Sequence, residues 1–428
     1  MNVLVVGGDG RAHALTWRLA RSDSVETLAA APGNPGIAAM GINCVPANPN
    51  NPADVAQFAD DLDVDLVVVS PEEPLVNGVV DAVQSRGRSA FGPTADGARL
   101  EGSKAWMKEV VADAGVPTAT HGAFSVDDEN AALAFLEELP GLYVVKTDGL
   151  AAGKGVVVTE SIDEARDAVR RYLSGEAFGD AGRTLVIEEG LTGPELSLLV
   201  VCNGREGWPL APAQDFKRIG DGDTGPNTGG MGAYSPVPFV GPDVVGEVME
   251  TAVRPTLAAL RARGIDYRGV LYAGLMLTPD GPKLLEYNVR FGDPEAQVVL
   301  PRLAGDVGQL CYDAATGADV DPQFSDDACV TVVLATEGYP TSPRSGDVIE
   351  GIDAAEELPG VTVFHAGTAR RDGELVTAGG RVVDVTALAP TLAAARARAY
   401  EAAGRITWPG VQYRRDIAEA ATTAAVDS

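Results

Sequence analysis

Blocks of apolar residues alternate with amphipathic stretches along the first hundred positions of the chain. The apolar runs at 2–6 and 64–70 predict buried strands, and the stretches at 12–22 and 76–87 have the spacing of helices. Strands that alternate with helices in this way build parallel sheets. We therefore predict an N-terminal parallel α/β domain over residues 1–101.

Two further patterns follow along the chain. Residues 102–325 mix helices with paired strands; a strand, a glycine loop and a strand fill 143–160, and strands at 269–278 and 282–291 flank a Pro-Asp-Gly turn. A helix is predicted from Ser161 as N-cap, with Glu164 in the capping-box position. A long helix is predicted over 243–264. From about residue 326, short strands separated by turn residues predict a small mixed β domain over 326–428.

The charge of the chain narrows the range of partners. Its 428 residues carry a net charge of -28, which argues against nucleic acid as a partner. Apolar runs are too short for a membrane helix, and the start lacks the basic and apolar regions of a signal peptide, so we expect a cytoplasmic protein without a membrane partner. An acidic, lysine-poor composition suggests a halophilic host with a high-salt cytoplasm.

Cysteines and histidines are few and scattered. Cys44, Cys202, Cys311 and Cys329 form no CxxC pair, and His13, His121 and His365 are the only histidines. A zinc site or a Ser-His-Asp triad therefore has little to draw on. Buried free thiols are the simpler interpretation.

The GGDG turn at residues 7–10 follows the first strand and opens a helix. This arrangement suits a dinucleotide, a substrate phosphate, or only a tight turn. The next strand ends in AAAPGNPG and offers no acid for a ribose, which favours a substrate phosphate over NAD.

The segment LLEYNVRFGDPE carries the pattern of a metal site. Glu286 and Asn288 are two residues apart on a predicted strand, so their side chains share a face. Carboxylate and amide oxygens suit magnesium. Arg290 has the same parity and could meet a phosphate beside the metal; an exposed polar strand face is the alternative.

Lysines are concentrated in glycine-rich motifs. The chain has only six, and Lys104, Lys146, Lys154 and Lys217 lie in such segments. VVKTDGLAAGKGVVV joins positive charge to backbone N–H groups, as a phosphate site requires, without being a Walker motif. Coincidence is the alternative.

A second glycine-rich loop, FKRIGDGDTGPNTGGMGAYSP, spans 216–236 and is here called the glycine loop. With these motifs together, the chain resembles the ATP-grasp enzymes, and more closely the phosphoribosylamine–glycine ligase family. The likeness covers nearly the whole chain, through segments such as GGDGRAHAL, SPEEPLVNGVVDA, LEGSKAWMK, the glycine loop and EYNVRFGDPE. The glycine loop and RFGDPE are specific to that family, whereas the lysines and the E-x-N pair belong to ATP-grasp enzymes broadly.

The resemblance implies an ATP-dependent ligase of purine biosynthesis. ATP would phosphorylate glycine, and the amine of 5-phosphoribosylamine would attack the glycyl phosphate, giving glycinamide ribonucleotide, ADP and phosphate. It also implies Mg²⁺ or Mn²⁺, a mobile lid subdomain at about 122–190, and a monomer.

The resemblance also implies roles for individual residues. The ATP contacts would be Lys104, Lys146, the loop of Gly153, Lys154 and Gly155, the adenine hinge Glu188, Glu189 and Leu191, and the ribose acid Glu195. The metal ligands would be Glu286 and Asn288, without a third acid on the preceding strand. Catalysis would involve Arg290, Lys146, Lys217 and Asp215. The substrates would meet Gly10, Asn34, Pro71, Glu72, Asp215, Asn227, Thr228, Gly229, Arg290 and Asp293.

One residue departs from the family pattern, since Ala12 stands where the family usually has Glu. Three other functions stay open on the sequence. They are another ATP-grasp enzyme, a nicotinamide oxidoreductase built on GGDG, and a nucleotide sensor without catalysis. The glycine loop argues against the first, the missing acid and the E-x-N pair against the second, and the intact lysines and metal motif against the third.

Overall fold

The computed structural model describes residues 1–150, 155–175 and 183–424. It begins with a five-stranded parallel sheet of order β3-β2-β1-β4-β5, which confirms the predicted N-terminal α/β architecture. The strands are β1 (Asn2–Gly7), β2 (Thr27–Pro32), β3 (Asn43–Cys44), β4 (Leu66–Val69) and β5 (Ser89–Phe91). The helices are α1 (Gly10–Leu19), α2 (Pro35–Ala39), α3 (Pro52–Asp61), α4 (Glu72–Val76), α5 (Val79–Ser85), α6 (Ala95–Gly102) and α7 (Lys104–Asp113).

The helix predicted over 76–87 is divided in two. Gly78 lies between α4 and α5 with φ 85°. A left-handed residue cannot continue a right-handed helix, so the chain changes direction there.

A four-stranded antiparallel sheet of order β6-β9-β7-β8 follows, with two helices packed on it. Its elements are β6 (His121–Ser125), α8 (Glu129–Glu138), β7 (Tyr143–Thr147), β8 (Val156–Thr159), α9 (Ile162–Leu173) and β9 (Thr184–Glu189). Ser161 caps α9 as predicted, accepting a hydrogen bond from the Glu164 N–H. The capping box does not close, because the Glu164 carboxylate accepts from the Thr159 hydroxyl instead.

The next part of the chain contains the strands of a second antiparallel sheet and several shorter strands that lie outside that sheet. Its strands are β10 (Glu195–Asn203), β11 (Gly207–Pro209), β12 (Gln214–Asp215), β13 (Arg218–Gly220), β14 (Thr224–Asn227), β15 (Gly232–Ser235), β16 (Arg268–Thr278) and β17 (Gly281–Asn288). Four of them form a sheet of order β11-β10-β16-β17, while β13 and β14 form a hairpin.

The long helix predicted over 243–264 is helical throughout but irregular in the middle. It consists of α10 (Pro242–Val248), a π-helical turn over Met249–Val253 and α11 (Arg254–Ala262). Pro255 has no N–H to donate to the Thr251 carbonyl, so a regular α-helical ladder is broken at this place.

The C-terminal part adds β18 (Leu303–Ala304), β19 (Gln323–Phe324), β20 (Ala328–Ala335), β21 (Val361–His365), β22 (Thr368–Arg371), β23 (Glu374–Thr377) and β24 (Arg381–Ala389). Its helices are α12 (Ala296–Val299), α13 (Val307–Thr316), α14 (Ile352–Glu356), α15 (Leu392–Ala403) and α16 (Glu419–Ala424). The main sheet has the order β12-β15-β20-β24-β21, and its neighbouring strands are antiparallel. The strand β12, directly before the glycine loop, and the strand β15, near the end of the loop, thus belong to the same sheet as the C-terminal strands.

The N-terminal parallel sheet and the sheet β11-β10-β16-β17 come into contact at two glycines. Gly269 at the start of β16 has φ +113°, and a Cβ there would lie 2.7 Å from the Cα of Gly92. The contact is backbone against backbone, so neither side has a flexible side chain that could yield. Within the described ranges, no helix is both long and apolar enough to cross a membrane.

Replacing Gly269 with alanine should lower the free energy of unfolding by about 3 kcal/mol, because it adds backbone strain and a clash with Gly92. Gly246 in α10 provides the control, since a Cβ there meets no heavy atom within 4 Å. Its replacement with alanine should raise stability by about 0.5–1 kcal/mol. Thermal unfolding of both variants in the same concentrated KCl measures the difference. Equal midpoints would mean that the close approach at Gly269 contributes nothing to stability.

Candidate active site

A cavity of about 1180 Å³ opens between the N-terminal sheet, the two middle sheets and the C-terminal sheet. Most of the residues predicted to contact ligands line it. They are Glu72, Lys104, Lys146, Gly155, Glu188, Glu189, Leu191, Glu195, Asp215, Lys217, Asn227, Thr228, Gly229, Glu286, Asn288, Arg290 and Asp293. Gly153 and Lys154 lie outside the described residues.

Three predicted substrate contacts, Gly10, Asn34 and Pro71, are not brought to the cavity wall. A Cβ at Gly10 would lie 2.0 Å from the Oδ2 atom of Asp384, so the C-terminal sheet already covers this glycine. The Asn34 amide donates to the carbonyls of Gly8 and His365, and its oxygen caps α2. Asn34 therefore holds the fold together at this point.

The start of α1 is also more acidic than a phosphate site should be. Asp9 caps the helix by accepting from the Ala12 N–H at 2.7 Å. Asp384 lies beside Gly10, and burial, together with Asp293, raises the pKa of Asp384 to about 7. Two carboxylates at one helix start oppose a phosphate there, so the geometry does not favour the phosphate interpretation of GGDG.

Lys146 is held by a buried ion-pair cluster. Its Nζ atom lies 2.9 Å from Glu188 Oε1, and the Nζ of Lys108 lies 3.1 Å from Glu188 Oε2. Burial lowers the pKa of Lys108 to about 8. Burial alone would raise the pKa of Glu188 and lower that of Lys146, but their mutual attraction reverses both directions.

Lys108 was not among the residues predicted from the sequence to contact ligands. A signal was present, because Lys108 is one turn beyond Lys104 on α7 and is one of only six lysines. Its side chain is buried and donates to the Thr118 hydroxyl at 2.7 Å. Lys108 therefore supports Glu188 from behind, while Lys104 and Lys146 line the cavity.

The segment 188–191 connects the two middle sheets. The N–H of Glu189 donates to the Thr120 carbonyl and the N–H of Gly190 to the Leu142 carbonyl. Among the described residues, the Leu191 N–H has no hydrogen-bond partner. Leu191 therefore leaves a backbone donor available at the cavity wall.

Lys217 lines the same cavity and joins two carboxylates there. Its Nζ atom donates to Glu195 Oε2 at 2.6 Å and to Asp215 Oδ1 at 2.8 Å. Burial and the nearby carboxylates of Glu295 and Glu195 raise the pKa of Asp215 to about 7, against the opposing effect of Lys217. Asp215 can therefore exchange a proton near neutral pH.

Arg290 is fixed by acids from the N-terminal part of the chain. It donates to Glu101 Oε1 at 2.8 Å and to Glu72 Oε2 at 3.2 Å. Although burial opposes it, Arg290 and Arg11 lower the pKa of Glu72 to about 2. Glu101 was not predicted as a site residue, although it lies in the segment LEGSKAWMK that carries the family resemblance.

The candidate metal ligands lie at the end of β17. Within residues 1–150, 155–175 and 183–424, no three His, Cys, Asp or Glu side chains form a metal-binding group. Opposite Glu286, strand β16 presents Gly274, which has no side chain. Glu286 and Asn288 still fit magnesium, because this ion commonly binds through one or two protein oxygens, water and substrate phosphates.

The carboxylate of Asp293 is paired with Arg381, the first residue of β24. Its Oδ2 atom accepts from Arg381 at 3.0 Å, and its Oδ1 atom accepts from Gln297 at 2.8 Å. Arg381 lines the cavity and was also missed, because a lone arginine at the start of a strand carries no local signal.

Comparisons with known proteins agree along the whole chain. The family described as phosphoribosylglycinamide synthetase matches in three parts: its N domain at residues 1–101, its ATP-grasp (A) domain at 102–296 and its C domain at 329–420. Phosphoribosylamine–glycine ligases from Brucella melitensis and Escherichia coli are both 47% identical to this chain and cover 97% of it, and the chain covers 97% and 98% of them, respectively.

Solved structures show the same likeness. The crystal structure of phosphoribosylamine–glycine ligase from Thermotoga maritima has a TM-score of 0.83 and 33% identity, over 97% of this chain and 100% of that one. The biotin carboxylase domain of Hydrogenobacter thermophilus 2-oxoglutarate carboxylase has a TM-score of 0.71 at 17% identity, over 96% of this chain and 91% of that one. The second match shows a shared fold only.

Replacing Glu188 with glutamine should lower the free energy of unfolding by about 3–5 kcal/mol, because two buried ammonium groups would lose their shared carboxylate. The control is Glu189→Gln, since within the described residues the Glu189 carboxylate accepts only from the Thr120 N–H, at an exposed position. Thermal unfolding should separate the two variants by several degrees. A Glu188→Gln midpoint equal to that of Glu189→Gln would show that the buried cluster does not stabilise the fold.

Proposed function

This chain belongs to the phosphoribosylglycinamide synthetase family of ATP-grasp ligases, and on that premise we propose how its cavity carries out the reaction. The protein is an ATP-dependent phosphoribosylamine–glycine ligase of purine biosynthesis. One observation carries the proposal: the ATP-grasp lysines, the Glu286–Asn288 pair and Arg290 share one cavity with Asp215 and Lys217.

We assign the ATP side of the cavity to the middle sheets. Lys104 and Lys146 bind the phosphates, together with the loop of Gly153, Lys154 and Gly155. Leu191 offers its N–H to the adenine ring. The hinge residues Glu188 and Glu189 position that backbone, and Glu195 accepts from the ribose hydroxyls. Lys104 is suited to a phosphate because it is half-buried and donates only to the Gly149 carbonyl among the described residues.

Glu286 and Asn288 hold the divalent cation that the family requires, either Mg²⁺ or Mn²⁺. When bound, the cation supplies positive charge that offsets the charge of the phosphate groups. Arg290 lies beyond the same strand end and faces the cavity. Its planar guanidinium, held by Glu72 and Glu101, is oriented to meet the oxygens of the transferred phosphoryl group.

The reaction proceeds through glycyl phosphate. A carboxylate oxygen of glycine forms a bond to the γ-phosphorus of ATP, and the bond to the ADP oxygen breaks. The amine nitrogen of 5-phosphoribosylamine then bonds to the carbonyl carbon of glycyl phosphate, and inorganic phosphate leaves. Asp215 accepts the proton released by the amine, because its pKa of about 7 matches that task. Lys217 orients Asp215.

Substrate positioning involves the glycine loop and the acidic residues around Arg290. Asn227, Thr228 and Gly229 of the glycine loop line the cavity together with Glu72 and Asp293. Gly10, Asn34 and Pro71 support this wall from behind. A covered site matters because an acyl phosphate is hydrolysed when water reaches it.

We also propose a monomeric, cytoplasmic protein, in line with the family resemblance, and a high-salt host, on the basis of the net charge of -28. The proposed domain bounds are 1–101, 102–325 and 326–428. The sheet β6-β9-β7-β8 corresponds to the lid subdomain proposed at about 122–190.

Release of ADP should require ATP, magnesium, glycine and freshly prepared 5-phosphoribosylamine together, since no single substrate completes the reaction. The assay is run in concentrated KCl with each component omitted in turn. The variant Lys104→Met tests whether the ADP is released at this cavity. It removes a phosphate contact and should lower kcat/KM for ATP by about tenfold or more. Release of ADP with a different acid and amine would contradict the assigned substrates.

Hydroxylamine should trap the intermediate. With ATP, magnesium and glycine but without 5-phosphoribosylamine, the enzyme should form glycine hydroxamate in proportion to enzyme and time. If no glycine hydroxamate forms under conditions in which the complete reaction proceeds, hydroxylamine does not reach a glycyl phosphate intermediate, and the prediction is wrong.

The rate should fall as the pH is lowered through about 7, because protonated Asp215 cannot accept the amine proton. The quantity to measure is kcat/KM for glycine at saturating 5-phosphoribosylamine. Asp215→Asn should lower the rate by roughly 100-fold and remove this acidic limb. Asp384, whose pKa is also about 7 but which does not line the cavity, is the control. Asp384→Asn should keep the acidic limb of the pH profile. If Asp384→Asn loses this limb while Asp215→Asn keeps it, the titrating group is Asp384 and not Asp215.

A further inference from the structure

The glycine loop is anchored at its base, at its tip and near its end. The strand β12, directly before the loop, pairs with β15 near the end of the loop, and β15 pairs with β20 of the C-terminal sheet. Inside the loop, β13 and β14 form a hairpin that carries Gly222 and Asp223 at its turn. The loop is therefore a structured extension of the C-terminal sheet.

The hairpin tip is held by the segment 414–416. Arg414 donates from Nη1 to Asp223 Oδ1 at 2.6 Å and to the Arg218 carbonyl at 3.2 Å. The N–H of Gly222 donates to Asp416 Oδ2 at 2.8 Å. These bonds join residues almost two hundred positions apart, so they fix the tip against the C-terminal part of the chain.

The guanidinium group of Arg414 is held in one orientation by further contacts. Its side chain is 1% exposed, and its Nε and Nη2 atoms donate to the two carboxylate oxygens of Asp416 at 2.8 and 2.6 Å. The guanidinium carbon lies 4.9 Å from the ring centroid of Phe216, the first residue of the loop. A bidentate pair and an aromatic face leave the guanidinium little freedom to rotate.

A second anchor lies at Gly229. Its N–H donates to the Tyr339 hydroxyl at 3.0 Å, and its carbonyl accepts from Arg381 at 2.6 Å. Arg381 also donates to the carbonyl and the carboxylate of Asp293, at 2.8 and 3.0 Å. One arginine therefore connects the loop to the segment that carries Arg290 and Asp293.

From these contacts we propose that Arg414 and Arg381 are positioning residues that hold the glycine loop over glycyl phosphate, so that the amine rather than water attacks it. The inference rests on the proposed glycyl phosphate reaction. If water attacks, it forms a bond to the carbonyl carbon, phosphate leaves, and glycine is recovered. The net result is hydrolysis of ATP to ADP and phosphate without product.

The ratio of ADP to glycinamide ribonucleotide separates this role from simple support of the fold. A variant that is merely less stable loses active enzyme, and both products fall together. A variant with a loosened loop continues to form glycyl phosphate but loses part of it to water. The ratio then rises above that of the wild type, and the KM for 5-phosphoribosylamine rises with it.

Asp223 offers the cleanest change, because its side chain is 69% exposed and its φ of 54° suits glycine. Asp223→Gly removes one of the two carboxylate partners of Arg414, which keeps its pair with Asp416, and it does not strain the turn. Asp372→Gly is the matched control, since Asp372 has φ 53° and lies in the exposed turn between β22 and β23. Both substitutions add the same backbone freedom, but only one releases the tip.

A second variant tests the tip through another bond. Asp221 is exposed and accepts from the Arg415 N–H at 2.7 Å, so Asp221→Ala removes that contact while leaving Arg414 intact. Circular dichroism and thermal unfolding of each variant establish that the fold is retained.

We expect Asp223→Gly to raise the ratio of ADP to product about threefold to tenfold, the range of one ordinary hydrogen bond, because solvent screens the exposed Asp223 carboxylate, and Asp221→Ala to raise it less. Asp372→Gly should keep the wild-type ratio. Unchanged ratios in both tip variants, or an equal rise in Asp372→Gly, would overturn the proposal. Failure of the wild type to require glycine and 5-phosphoribosylamine would instead overturn the proposed function, which the omission assay detects separately.

Discussion

Burial of positive charge is the constraint on which the cavity depends. A cation removed from water must be paired, and here each cation that sequence analysis placed in catalysis has a carboxylate within hydrogen-bond distance. Lys146 has Glu188, Lys217 has Asp215 and Glu195, and Arg290 has Glu101 and Glu72. These pairs fix the positions of the cations before a substrate arrives, which is the preorganisation that electrostatic catalysis requires.

The same pairing explains which parts of the site the sequence could predict. Glu286, Asn288 and Arg290 follow one another at alternate positions, so the period of a strand was enough to find them. The partners of Arg290 and Asp293 could not be found in this way, because Glu101 lies 189 positions before Arg290 and Arg381 lies 88 after Asp293. Single charged residues in a chain with 33 basic and 61 acidic ones carry no local pattern.

Long-range pairing also decides the limits of the fold prediction. The order of strands and helices was readable from hydrophobic periodicity, and the parallel N-terminal sheet followed from it. The strand β12 is two residues long and β15 only four, so neither gives a periodic signal. The pairing of β12 with β15 and of β15 with β20 makes the glycine loop part of the C-terminal sheet. A loop that is rich in glycine can therefore still be held firmly, because its order comes from contacts outside itself.

The acidity of the chain and the cations of its cavity belong to one electrostatic problem. ATP, phosphoribosylamine and the glycine carboxylate are all anionic groups, and a protein of net charge -28 repels them at long range. At ionic strengths near 1 M the screening length falls to about 3 Å, so the surface charge is no longer felt by an approaching substrate. The paired lysines and arginines inside the cavity are screened much less, since water and salt ions have limited access to them. High salt would thus remove the repulsion of the surface while leaving the attraction of the site largely intact.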